Sequence, residues 1–193
     1  MMPRASTPAK RGPGRRSATT EPVPRGPLFR FFSEDHRRLG ELLRRAAATP
    51  GRVDLGPFGE FRAGILRHIG MEEKVLIPAA LRARGGRLLP VAPLLRVDHG
   101  AIAALLVPTP TPAIVADLVS VLEPHNRREE EEGGLYETCD EAVGEAAAEA
   151  LVEQLRSFPE VPLNPHNDGP QVMEHARAAL AQARRQWEGW SPG

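Results

Sequence analysis

The chain has a single cysteine, Cys139, among 193 residues, so no intrachain disulfide can form, and a reducing, cytoplasmic setting is expected. Aromatic residues make up only 5%. Ala, Leu and Arg dominate instead, a composition that leans toward helix. Long apolar runs are missing too: charge or proline interrupts each candidate within about 10 residues, far short of a membrane span, so no membrane partner is expected. The first residues lack the apolar segment of a secretory signal. No strand-like alternation of useful length occurs, and no solenoid repeat. A nucleophile elbow, a phosphate-binding glycine loop, a CxxC pair and a nucleotide fingerprint are all absent, which leaves hydrolase, kinase and dehydrogenase chemistry without support.

Net charge is zero but unevenly spread. Residues 1–26, "MMPRASTPAKRGPGRRSATTEPVPRG", carry Arg4, Lys10, Arg11, Arg15, Arg16 and Arg25 against Glu21 alone. Their Pro and Gly content disfavours an amphipathic helix, so this segment reads as a disordered basic tail. Contact with nucleic acid through so short an arm would be weak, and a solvated extension is the better reading.

The rest is punctuated into helices. Pro27 suits the first turn of a helix running through "LFRFFSEDHRRLGELLRRAAA" to the Thr49-Pro50-Gly51 break, with Phe29, Phe32, His36, Leu39 and Leu43 inward. A second helix opens at Gly56-Pro57 and closes near Gly85-Gly86, with a kink or weakened last turns predicted at Pro78. A third spans "LLPVAPLLRVDHGAIAALLV", with Leu95, His99, Ile102 and Leu106 on its stripe. Thr111 is the predicted N-cap of the fourth, with Pro112 at the first helical position; Ile114, Leu118, Val121, His125 and Glu129 follow on one face. "EAVGEAAAEALVEQLRSF" and "GPQVMEHARAALAQARRQWEGW" are two further helix candidates. The pattern predicts an all-α protein: an antiparallel up-and-down four-helix bundle over residues 27–140 with additional C-terminal helices over 141–193.

Each of the four bundle helices puts one histidine on its inward stripe: His36, His68, His99 and His125. Two of them have a glutamate four residues on, Glu72 after His68 and Glu129 after His125. Positions four apart lie one above the other, so each His-x-x-x-Glu offers an imidazole and a carboxylate to the same region of the bundle axis. A lone inward histidine is usually a hydrogen-bonded core residue, but four of four helices repeating the placement is a pattern. Inward glutamates need compensating charge. Four imidazoles and two carboxylates suit one or two borderline transition-metal ions, iron first, with manganese or zinc possible. His166, in a loop, and His175, followed four on by Ala179, do not repeat the spacing.

"SEDHRRL", "HIGMEEKVLIP", "RVDHGAI" and "EPHNRREEE" resemble, in order and spacing, the four helix motifs of the hemerythrin-like HHE cation-binding domain family. The resemblance covers roughly residues 28 to 136 and implies a non-haem di-iron centre with two iron ions under an oxo or hydroxo bridge. His36, His68, His99 and His125 would be its terminal ligands, and Glu72 and Glu129 its bridging carboxylates, with Glu130 as competitor to Glu129. An open position on each iron would take a small diatomic, oxygen or nitric oxide. The oxygen carriers of the family have a second histidine on the third helix, where this chain has Leu95 and Ala103 on either side of His99. That argues against a dedicated oxygen carrier.

The expected function is therefore a cytoplasmic metal-binding protein that binds or senses a diatomic or iron, rather than a dedicated enzyme. A redox enzyme of iron–sulfur cluster repair or of nitric oxide or peroxide detoxification is one alternative. A metal-free interaction module, docking a partner through Trp187 and Trp190, is the other. Gly133-Gly134 is expected to break or bulge the fourth helix, and Pro124 to bend it. Tyr136, about three turns after His125, is read chiefly as packing, with a polar role toward the core as the lesser option. Asp35 and Asp98 precede their histidines, but adjacent helical residues diverge by roughly 100°, so neither is expected to orient its own neighbour.

Overall fold

In the computed structural model, which describes residues 25–188, every regular element is helical. Most of the basic tail and Trp190 lie outside the described residues. α1 (Pro27–Ala46) begins at a proline, and its first amides find their acceptor far away in sequence. Leu28 and Phe29 donate to the Asp140 carboxylate at 3.0 and 2.9 Å. α2 (Leu55–Met71) is capped by Asp54, whose carboxylate accepts from the Gly56 amide.

The kink predicted at Pro78 takes a different form. α2 runs into a π-helical turn, Glu72–Leu76, and continues as α3 (Ile77–Ala83). The Ile77 amide donates to the Glu72 carbonyl five residues back. A proline has no amide hydrogen and crowds the carbonyl four residues earlier; the widened turn relieves that crowding and re-aims the side chains that start it, Glu72 among them. Gly85 and Gly86, at φ +64° and +85°, end the helix as expected.

α4 (Ala92–Leu105) follows, then α5 (Pro112–Glu130). Thr111 caps α5 as predicted, its hydroxyl accepting from the Ile114 amide at 3.2 Å. The chain then breaks at Gly133, at φ +72°. At Gly134 a Cβ would lie 2.7–2.8 Å from the carbonyl oxygens of Arg128, Glu129 and Glu131, so only glycine lets the chain fold back this closely. Leu135 therefore opens a separate helix, α6 (Leu135–Val143). The single helix expected over "EAVGEAAAEALVEQLRSF" is divided at Gly144, whose φ of +78° is one that L side chains rarely adopt; α7 (Glu145–Arg156) starts after it. α8 (Pro170–Glu188) completes the described chain.

The buried apolar side chains form two clusters with polar side chains between them. Leu28 and Phe32 of α1 lie in one cluster, Leu39, Leu42, Leu43 and Ala46 in the other, and His36 between. α2 passes in the opposite sense, from Phe58, Phe61 and Ile65 through His68 to Met71. α4 passes from Leu95 through His99 to Ile102, and α5 with the start of α6 returns, from Leu118 and Val121 through His125 to Leu135. α7 adds Ala148, Val152 and Leu155 to the first cluster; α8 adds Ala176, Leu180 and Ala183 to the second. The later helices thus share the core of the earlier four. No helix among the described residues is long and apolar enough to cross a membrane.

Candidate metal centre

Between the two apolar clusters, the six inward residues picked out by spacing meet. His68, Glu72, His125 and Glu129 are fully buried, and His36 and His99 are nearly so. Every imidazole turns Nε2 toward a glutamate: His36 lies 3.3 Å and His125 3.2 Å from Glu129 Oε2, His68 3.4 Å from Glu72 Oε1, and His99 3.1 Å from Glu72 Oε2. Glu72, His99, His125 and Glu129 could hold a metal ion between them, and so could His36, His68 and Glu129. Glu130 is not part of this inward set; it lies outside, on the far side of the His36 ring.

The outer ring nitrogens form an orderly arrangement. His36 Nδ1 donates to Glu130 at 2.6 Å, His68 Nδ1 to Asp35 at 2.9 Å and His99 Nδ1 to Glu73 at 3.0 Å, while His125 Nδ1 lies 3.5 Å from Asp98. Each outer carboxylate is the chain neighbour of one inward residue but serves the histidine of another helix. Asp35 of α1 faces α2, Glu73 after α2 faces α4, Asp98 of α4 faces α5, and Glu130 of α5 faces α1. The expectation that Asp35 and Asp98 do not orient their own neighbours holds; their service to the adjacent helix was not foreseen, because it depends on how helices are juxtaposed. A carboxylate at Nδ1 fixes the tautomer and leaves the Nε2 lone pair for a ligand.

Asp98 is held from α8 as well. Its Oδ1 accepts from Gln186 Nε2 at 2.8 Å and from the Trp187 indole at 3.1 Å, and its Oδ2 accepts from Arg128 at 3.2 Å. Trp187, which the interaction-module alternative would place on a docking face, hydrogen-bonds within the molecule. His166 and His175 are exposed, away from the centre.

Tyr136 departs furthest from expectation. Its ring does pack, stacked on Phe32 with centroids 4.9 Å apart, but its hydroxyl reaches the middle of the polar layer. It donates to Glu72 Oε1 at 2.6 Å, with Glu129 Oε2 at 3.2 Å, His36 Nε2 at 3.2 Å and His68 Nε2 at 3.3 Å. Sequence spacing gave this polar role only as the lesser option, because the fold-back at Gly133-Gly134 breaks the helical register between His125 and Tyr136.

Several polar atoms at the centre are buried without any hydrogen-bond partner: Glu72 Oε2, His99 Nε2, both nitrogens of His125 and Glu129 Oε1. His99 Nε2 and Glu72 Oε2 are close, yet not aligned on one another. Orphaned buried donors and acceptors of this kind are rare, and lone pairs that converge without pairing fit a cation between them.

The buried carboxylates favour positive charge on the imidazoles that face them. Burial alone would lower the His36 and His99 pKa values, but the facing carboxylates of Glu129 and Glu130, and of Glu72 and Glu73 respectively, raise each from 6.5 to about 10. His68 also rises against the pull of burial, through the charge of Glu72 and its bond to Asp35. Glu72 falls well below the ordinary carboxylate value despite its burial, held by His68 and His99. The Cys139 thiol is buried and pushed upward, so it offers no ready thiolate.

One apolar cleft of about 380 Å³ borders His36. Leu39, Leu43, Phe61, Ile65, Val119 and Leu122 line it, with His36 among the residues that bound it. No family model, curated protein or solved structure matches the chain.

Proposed function

We propose that this chain is a hemerythrin-like non-haem di-iron protein that binds or senses a small diatomic, oxygen or nitric oxide, or iron itself, in the cytoplasm. The observation that carries the reading is the convergence of four imidazole Nε2 atoms and two fully buried glutamates on one layer, with unpaired lone pairs facing each other. The alternating passage of α1, α2, α4 and α5 between the two apolar clusters supports an antiparallel up-and-down bundle around that layer. Mixed nitrogen and oxygen donors favour iron, with manganese or zinc as competitors. Bound iron would supply a coordination position for a diatomic ligand. The chain's own residues would do the rest: Nδ1 partners aim the His36, His68 and His99 imidazoles, Glu72 and Glu129 neutralise the ions, and the apolar layers on both sides exclude water. The cleft at His36 favours a small uncharged ligand over a charged one, because its lining is mainly apolar.

Purification from iron-supplemented cells tests the proposal. Close to two irons per chain, with a visible absorption change on adding nitric oxide, are expected. Well-folded protein that takes up no metal overturns it.

A further inference from the structure

The two halves of the centre are not equivalent. Around His99 and His125 the inward atoms face one another without hydrogen bonds. Around His36 and His68 a fifth residue stands among them. We propose that the phenolic oxygen of Tyr136 is itself a metal ligand, completing the half built by His36 and His68. This rests on the di-iron reading above and adds to it a donor outside the six residues read from sequence.

The distances are those of a coordination shell. With bonds of about 2.1 Å, adjacent donors around an octahedral ion lie about 3 Å apart. The hydroxyl oxygen sits 3.2 Å from His36 Nε2, 3.3 Å from His68 Nε2 and 3.2 Å from Glu129 Oε2, one edge to each. The His36, His68 and Glu129 group offers three donors where the other half offers four, so a fourth evens the count. The ring cannot easily swing away: Phe32 stacks on one face, Phe29 meets it edge-on at 6.4 Å, and Gly134 holds the start of α6 against the end of α5. As the oxygen–metal bond forms, the phenolic proton leaves to solvent, and Glu72 Oε1, its acceptor at 2.6 Å, is released to bind metal.

Tyr136 is the only tyrosine in the chain, so a tyrosinate signal has one possible source. The full chain loaded with two ferric ions should show a phenolate-to-iron charge-transfer band in the visible and tyrosinate modes in resonance Raman. Y136F should lose both signals and bind its second iron ~10-fold or more weakly, keeping the first. Should Y136F fail to fold, zinc titration of the unaltered chain should still produce one tyrosinate per chain in the ultraviolet difference spectrum. Two irons bound with no phenolate signal overturns the ligand assignment while leaving the di-iron centre standing. A chain that binds no metal overturns the centre itself, so the two failures read differently.

Discussion

His68 Nδ1 donates to Asp35 Oδ2 at 2.9 Å, although Asp35 is the chain neighbour of His36 on a different helix. That bond keeps the Nε2 lone pair of His68 facing Glu72. Asp35→Asn should leave the helices intact and weaken metal binding by about 10–100-fold, read by competition with a chelator of known affinity. Unchanged affinity would mean that packing alone aims the ring.

Glu129 and Glu130 are adjacent but face different ways, so the two glutamine variants should separate. Glu129→Gln removes a buried inward carboxylate and should drop the metal content below two per chain. Glu130→Gln removes only the partner of His36 Nδ1, so it should keep two metals with weaker retention. Metal analysis after dialysis distinguishes them, and the reverse order would exchange their roles.

What the sequence could and could not reveal follows from the range of each interaction. His68 with Glu72 and His125 with Glu129 are pairs within one helical face, so spacing alone exposes them. The Thr111 cap and the Gly85-Gly86 stop are equally local. Glu73, Asp98 and Glu130 act across helices, and their contacts depend on packing no periodicity encodes. A trace was nonetheless present: Asp35-His36, Glu72-Glu73, Asp98-His99 and Glu129-Glu130 each join an inward residue to an acidic neighbour. Tyr136's polar role was ranked below packing because of a break in register, and the π turn was hidden by the fact that Pro78 reads equally well as an ordinary kink.

Removal of metal should reverse the pH dependence of the centre. His36 and His99 have folded pKa values of about 10 against an ordinary 6.5, so the stability they contribute is complete below 6.5 and lost as pH rises through about 10. Glu73, held at about 2 by its bond to His99, contributes above 4.5 and loses that contribution as pH falls toward 2. Thermal melts of chelator-treated protein should therefore decline from pH 6.5 to 10. Metal needs neutral imidazoles, so its binding should release protons and tighten over the same interval. Parallel curves for the two forms would contradict this.

Access through the apolar cleft can be blocked without touching a ligand. If the proposed diatomic enters by this cleft, Leu43→Trp or Val119→Trp should slow nitric oxide binding in stopped-flow by about 10-fold or more while the iron content stays the same, because both residues line the cleft beside His36. An unaltered on-rate would place the entry elsewhere.

Gly134→Ala introduces a methyl group against three backbone carbonyl oxygens that cannot all retreat. It should destabilise the fold by about 2 kcal/mol or more and displace Tyr136 from the centre. Chemical denaturation measures the first effect and the loss of any tyrosinate signal the second.

The outer carboxylates hand support from α1 to α2, from there to α4, and from α5 back to α1, with Asp98 of α4 lying 3.5 Å from the α5 imidazole. Rotation of any one rod would swing a neighbour's imidazole, which would swing the next. A displacement at one imidazole would thus pass first to the helix whose carboxylate holds it, as between meshed gears, before it reached the others.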